Sequence, residues 1–120
     1  CSILSEKMEK YVMNPKNIAG PYMILAYNTT QEGAVKLRAA IHQYDFTARP
    51  QEVMKKYNPE YHRLISEFEK LTGIGAILNT SFNLHGDPIV CSPLDALYVF
   101  TNSGLQYLAL GNYLVSKKEK

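Results

Sequence analysis

NPEYHRLISEFEKLTGIGAILNTSFN, residues 58–83, holds a helix, both of its ends, a strand and a polar loop in one unbroken run, and it decides the fold class. Asn58-Pro59 starts the helix, because asparagine accepts hydrogen bonds from free first-turn amides and proline at the first helical position gives up no intrahelical bond. Tyr61, Leu64, Ile65, Phe68 and Leu71 recur at i, i+3, i+4, i+7 and i+10, which predicts one buried stripe. Gly73 supplies the exit. Residues 74–78 form a short apolar strand that runs directly into Asn79-Thr80-Ser81-Phe82-Asn83, and Gly86-Asp87-Pro88 makes the turn that follows. Chemistry is expected at that strand end.

Downstream, Ser92-Pro93-Leu94-Asp95 starts a second helix: the serine caps the amide three residues on, and Asp95 reaches back and complements the helix dipole. Ala96, Leu97, Val99 and Phe100 fill its apolar face, Gly104 ends it, and residues 105–110 and 113–115 read as strands joined by a tight turn at Gly111-Asn112. Upstream, the first thirteen residues have helical spacing, stopped by Asn14-Pro15 and Gly20-Pro21. Residues 22–27 and 39–44 are rich in strand-forming side chains, the first broken by the polar residues 28–33, and residues 51–53 extend the second. Strands alternating with helices predict an α/β (α+β) domain, a twisted mixed sheet with about three helices packed on it.

The 120 residues, 46% of them hydrophobic, are enough for one ordinary core, so one domain over residues 1–120 is expected. A net charge of +2 is too mild, and the basic residues too scattered, to imply a nucleic-acid partner; the terminal Lys117, Lys118 and Lys120 read as a solvated tail. Cys1 and Cys91 show no spacing that would assemble a metal or redox site, which fits a reducing, cytoplasmic setting. No apolar stretch reaches the length of a membrane span, and the start lacks a secretory pattern. The absence of an initiator methionine before Cys1 reads as a piece of something longer.

Asn79-Thr80-Ser81-Phe82-Asn83 places two amides and two hydroxyls within five residues. Such donors, with accessible backbone amides, suit a phosphate or carboxylate; the same residue types also form turns that satisfy their own backbone. Arg49 has two readings as well. Its planar guanidinium can grip phosphate oxygens in a bidentate fashion, or pair on the surface with Asp45 or Glu52. His42, His62 and His85 do not form a metal set; His62 is expected to be exposed on its helix, and only His85 is near the polar loop, either as a donor to a bound anion when protonated or as an ordinary loop residue. Cys91, without a base beside it, reads as a small buried residue rather than a nucleophile.

His42-x-x-Asp45-x-Thr47-x-Arg49-x-Gln51, Asn58-Pro59-x-Tyr61-His62, Asn79-Thr80-Ser81-Phe82-Asn83-x-x-Gly86-x-Pro88-Ile89-Val90-Cys91, Pro93-x-Asp95-Ala96 and Leu110-Gly111-Asn112 resemble, in order and spacing, the C-terminal domain of carbamoyltransferases typified by NodU, CmcH and the tobramycin carbamoyltransferase. Ser2-Ile3-Leu4 and Gly20-Pro21-Tyr22-Met23 are similar too. The resemblance implies a YrdC-like fold and a larger N-terminal transferase domain of the same polypeptide. It also implies a reaction in which carbamoyl phosphate and ATP, with Mg²⁺ carried by the nucleotide, give carbamoyl adenylate. The other domain would transfer the carbamoyl group to a hydroxyl. Arg49, Asn79, Ser81 and Asn83 match motif positions that line the phosphate and carbamoyl site; Thr80 and His85 complete the expected binding set, with Arg49 and Ser81 in catalytic roles and no protein-bound metal. Arg49 would offset phosphate charge, Asn79 and Ser81 would orient carbamate and phosphate oxygens, and Asn83 and Gly86 would shape the loop.

Three departures from the family pattern bear on activity: Phe46 where relatives commonly have glycine, His85 where lysine or arginine is common, and no basic Arg-Pro-Phe-type motif before Cys1. Hence a second hypothesis stands beside the enzyme domain, a catalytically inactive nucleotide- or anion-binding module of the same fold. A relative acting in tRNA modification would want a basic face, against which the modest charge argues. A homodimer is compatible with everything above.

Overall fold

The computed structural model describes residues 1–118 and resolves into two compact units, Cys1–Asn79 and the residues from Thr80 onward. The first unit contains β1 (Ser2–Leu4), α1 (Met8–Tyr11), β2 (Tyr27–Asn28), α2 (Gln31–Lys36), β3 (Thr47–Ala48), β4 (Gln51–Val53), α3 (Pro59–Thr72) and β5 (Ala76–Ile77). Its main sheet is mixed, in the order β4-β1-β5: β1 runs parallel to β4, with Ser2 opposite Gln51, and antiparallel to β5, with Ser2 opposite Ile77. All three residues of the central β1 are buried, because both faces of the sheet are covered. Ile3 packs on one face with Met8, Tyr11, Val12 and Leu37, while Leu4 and Val53 pack on the other against Ile65 of α3.

α3 forms as its sequence predicts. The Asn58 side chain accepts from the Tyr61 N–H, Pro59 opens the helix, and Gly73 leaves it at φ 74°. The predicted stripe is only partly buried: Ile65 is fully inside and Tyr61 partly so, while Leu64 is 60% and Leu71 86% exposed. His62, expected to be exposed, is half-buried, because its Nε2 pairs with Glu6 at 3.0 Å.

Upstream the expectations fare less well. Ser2–Leu4 is drawn into the sheet as its middle strand, so that only Met8–Tyr11 of the predicted first helix is α-helical. Residues 22–26 are not strand: Met23 sits at φ 55°, which an extended ladder cannot accept, and Tyr22 and Ile24 are both exposed. Only Tyr27 and Asn28 pair, with Ala48 and Thr47. Residues 39–44 form no strand either, because their backbone bonds close a turn, Phe46 N–H donating to the His42 carbonyl at 2.9 Å and His42 N–H to that of Thr47 at 2.8 Å. The polar residues after β2 start an unforeseen helix, α2, with Thr30 as cap. Gly33 of α2 lies so close to α1 that a Cβ there would meet the Tyr11 carbonyl oxygen at 2.0 Å.

The second unit contains α4 (Pro93–Thr101), β6 (Tyr107–Leu110) and β7 (Tyr113–Ser116). α4 opens on the predicted reciprocal cap: Ser92 Oγ accepts from Asp95 N–H, and the Asp95 carboxylate accepts from Ser92 N–H at 3.0 Å. β6 and β7 form the predicted hairpin, turned at Gly111 with φ 58°, and Ala96, Phe100 and Leu108 make a small core. Lys117 is not part of a solvated tail: its Nζ donates to the Ser103 carbonyl at 2.5 Å and stands 5.2 Å from the Phe100 ring centroid. Lys118 is exposed, and Lys120 lies outside the described residues.

The mixed α/β class is therefore what the structure shows. Among the described residues three small sheets and four α-helices, two of them very short, stand in place of one continuous sheet with about three helices. Among the described residues no helix is long and apolar enough to cross a membrane.

Candidate functional site

Arg49 stands in the short link between β3 and β4 with its side chain exposed. The two carboxylates nearest in sequence are committed elsewhere. Asp45 Oδ1 accepts from the Thr47 N–H at 3.0 Å and the Thr47 hydroxyl at 2.8 Å, and pairs with His42 Nδ1 at 3.0 Å. The Thr47 N–H first, then the Thr47 hydroxyl and His42, hold the Asp45 carboxyl below its ordinary range. Glu52 accepts from the Ser5 hydroxyl at 2.5 Å and from the Gly20 N–H at 2.9 Å. Neither forms the surface pair with Arg49 that the sequence left open, and among the described residues no carboxylate is paired with its guanidinium.

Between Asp45 and Arg49, Phe46 adopts φ 55°, the left-handed region that favours glycine. The conformation is pinned, since the Phe46 carbonyl accepts from both the N–H of Thr29 at 3.2 Å and its hydroxyl at 2.7 Å.

Strand register brings Arg49 and Asn79 to one end of the main sheet. Ser2 is level with both Gln51 and Ile77, Arg49 lies two residues before Gln51 on the parallel neighbour, and Asn79 two residues after Ile77 on the antiparallel one. Both chain segments thus leave the sheet at the same end, on either side of β1.

Asn79 is held by a polar cluster in which only Asn79 figured as a site residue on sequence. Ser2, fully buried, donates from Oγ to Gln51 Oε1 at 3.1 Å and accepts from Tyr61 Oη at 2.9 Å and from Asn79 Nδ2 at 3.0 Å. Asn79 Nδ2 also reaches Gln51 Oε1 at 3.3 Å. Gln51 and Tyr61 carried a signal in their motif spacing. Ser2 had only its place in Ser2-Ile3-Leu4, because nothing local distinguishes a hydroxyl that will meet partners 49, 59 and 77 positions away.

The remaining predicted residues belong to the second unit. Thr80 and Ser81 are exposed and follow Asn79 in the chain. Asn83 is spent on the loop, its Nδ2 donating to the Leu84 carbonyl at 2.9 Å and the Asp87 carbonyl at 3.0 Å across the turn, where Gly86 takes φ 90°. His85 is exposed. Two apolar cavities, of about 360 and 350 Å³, lie in this unit on the segment 87–93 and are lined by Val90, Cys91 and faces of α4 and β6; neither is lined by Thr80, Ser81, Asn83 or His85. Cys91 is exposed rather than buried, and its thiol donates to Asp95 Oδ2 at 3.4 Å. That hydrogen bond and the carboxylate's charge push the thiol up, which disfavours the nucleophilic thiolate. Among the described residues no group of three or more His, Cys, Asp or Glu side chains is placed to hold a metal ion.

A family model described as the carbamoyltransferase C-terminus matches residues 1–117. An uncharacterised protein of Methanocaldococcus jannaschii is 40% identical over 117 residues, 98% of this chain and 19% of that protein. The nodulation protein NolNO of Sinorhizobium fredii is 40% identical over 88 residues, 73% of this chain and 13% of its own length. The 3'-hydroxymethylcephem-O-carbamoyltransferase of Amycolatopsis lactamdurans is 30% identical over 99 residues, 82% of this chain and 18% of that enzyme. The chain thus spans about a fifth or less of the length of these relatives.

Proposed function

The chain belongs to the carbamoyltransferase C-terminal family, and from that membership we propose that it activates the carbamoyl donor of an O-carbamoyltransferase, binding carbamoyl phosphate and ATP to form carbamoyl adenylate. A larger N-terminal domain of the same polypeptide would then transfer the carbamoyl group to a hydroxyl acceptor. The observation that carries this reading is Arg49, exposed, without a carboxylate partner among the described residues, and at the same end of the sheet as the anchored Asn79.

Carbamate, released with phosphate when water cleaves carbamoyl phosphate, attacks the α-phosphorus of ATP. A carbamate oxygen bonds to phosphorus, and the bond to the bridging oxygen breaks, its electron pair leaving on pyrophosphate. Two anions must meet, so the barrier is mainly electrostatic and no covalent nucleophile is needed. Arg49 supplies permanent charge for the phosphate oxygens. Mg²⁺ arrives with the nucleotide and shares the remaining charge.

The test is carbamoyl-phosphate-dependent release of pyrophosphate from ATP by the full-length protein. Arg49→Ala should weaken donor binding by about 1.5–3 kcal/mol, on the order of tenfold to a hundredfold. Arg49→Lys should recover part of this, since it keeps the charge and loses the bidentate fork. An unchanged rate in Arg49→Ala would remove Arg49 from the site. ATP binding without any pyrophosphate release in the unsubstituted protein would support the inactive binding module instead.

A further inference from the structure

We propose that Ser2, Gln51 and Tyr61 are positioning residues that fix the Asn79 carboxamide with its carbonyl oxygen outward, so that this position reads an N–H donor, the amino group of a carbamoyl substrate, and not a phosphate oxygen. The inference rests on the donor-activating role proposed above and assigns Asn79 to the amino end of the donor.

The assignment follows from counting donors and acceptors. A serine hydroxyl has one hydrogen to give and two lone pairs to fill. Ser2 Oγ gives its hydrogen to Gln51 Oε1 and fills its lone pairs with the Tyr61 hydroxyl and Asn79 Nδ2, so it is saturated, as a fully buried hydroxyl should be. Asn79 Nδ2 faces Ser2 Oγ at 3.0 Å and Gln51 Oε1 at 3.3 Å, so the amide nitrogen is turned into this cluster. A carboxamide is planar, so fixing its nitrogen fixes the direction of its oxygen. Among the described residues no donor reaches Asn79 Oδ1, and the residue is only half-buried. What Asn79 offers a ligand is therefore an acceptor. Phosphate and carboxylate oxygens accept too and gain nothing there, whereas the amino group of a carbamoyl compound donates. Arg49, two strands away at the same sheet end, has the opposite character, five donors and no acceptor. The pair distinguishes the two ends of carbamoyl phosphate.

Acetyl phosphate, with a methyl group where carbamoyl phosphate has its amino group, is the probe. In the full-length protein the KM for carbamoyl phosphate in pyrophosphate release is compared with the inhibition constant of acetyl phosphate. Gln51→Met, which removes one acceptor of Asn79 Nδ2 and the acceptor that orients the Ser2 hydroxyl, should raise the KM for carbamoyl phosphate by about fivefold to a hundredfold and leave acetyl phosphate inhibition within about twofold. A merely structural defect would weaken both. Gln51→Glu keeps an acceptor at the same place and should preserve the selectivity of the unsubstituted protein. Loss of selectivity in Gln51→Glu equal to that in Gln51→Met would mean that Gln51 donates and Asn79 shows its N–H outward, and would overturn the inference. So would retained selectivity in Gln51→Met. Either failure leaves carbamoyl-phosphate-dependent pyrophosphate release intact, whereas absence of that release in the unsubstituted protein overturns the donor-activating role and this inference with it.

Discussion

Replacing Phe46 by alanine and, separately, by glycine isolates what the left-handed turn before Arg49 costs. Both variants remove the ring, which is 52% exposed, so the lost packing cancels between them and the backbone remains. At φ 55° an L-residue carries about 1–2 kcal/mol of strain between Cβ and the carbonyl oxygen, which alanine keeps and glycine relieves. Glycine loses about 0.5–1 kcal/mol more chain entropy on folding. At the middle of both ranges the balance favours Phe46→Gly over Phe46→Ala by about 0.8 kcal/mol, the reverse of the order at ordinary helical or extended positions. The turn cannot easily relax, because Phe46 N–H is held by the His42 carbonyl and the Phe46 carbonyl by two donors of Thr29. Urea denaturation reads the difference: at a slope of about 2 kcal/mol per molar, the glycine variant should unfold at a midpoint about 0.3–0.5 M higher. Equal midpoints, or a higher one for alanine, would show that residue 46 is not held left-handed.

Gly33→Ala should destabilise the chain by about 1–3 kcal/mol in the same assay, because the new methyl would meet the Tyr11 carbonyl oxygen at 2.0 Å and α2 would have to move off α1. Tyr11→Phe removes the hydroxyl that accepts the Gly75 N–H at 3.0 Å within the core and should cost about 1–3 kcal/mol, the penalty of a buried unpaired amide. Asp45 gives a pH signature: its folded carboxyl lies below the unfolded value, so its contribution is complete above about pH 4 and is lost as pH falls through the depressed value. The stability gap between the unsubstituted chain and Asp45→Asn, followed by thermal melts, should therefore narrow on acidification below about pH 4.

What the sequence made legible was short-range. Asn58 with Pro59, Ser92 with Asp95, Gly73 and Gly111-Asn112 each act on residues within about one turn, and each does in the structure what its chemistry predicts. The misreadings share a cause. Ser2–Leu4 has helical neighbours in sequence but strand neighbours in space, Gln51–Val53 and Ala76–Ile77, and pairing with both outweighs a weak local preference. Residues 22–27 have the composition of a strand, yet Met23 turns left-handed and only Tyr27 finds a partner. The helical stripe from Tyr61 to Leu71 announces apolar spacing correctly, but spacing says nothing of how much of a helix the sheet is wide enough to cover, and here a three-stranded sheet covers Ile65 and little beyond.

The candidate site shows the same limit in sharper form. Asp45, Asn79, Asn83 and Asp95 are all polar residues in motif positions, and composition cannot rank them, because the groups that suit a ligand also suit a turn. Hydrogen-bond arithmetic can. Asp45 Oδ1 accepts from Thr47 and pairs with His42, both amide contacts of Asn83 close its own loop, and the Asp95 carboxylate accepts from Cys91 and Ser92 at the head of α4. These residues each hold their own local turn or helix end. Arg49 and the Asn79 carbonyl stand apart: the first is exposed without an ion-pair partner among the described residues, and the second belongs to an amide whose nitrogen is turned onto a saturated buried hydroxyl. A buried serine with three side-chain partners contributes little to stability that an apolar contact could not replace. Its value lies in direction, since it turns the Asn79 amide one way, and the proposed reading of an amino group against a methyl group depends on that fixed direction more than on another hydrogen bond.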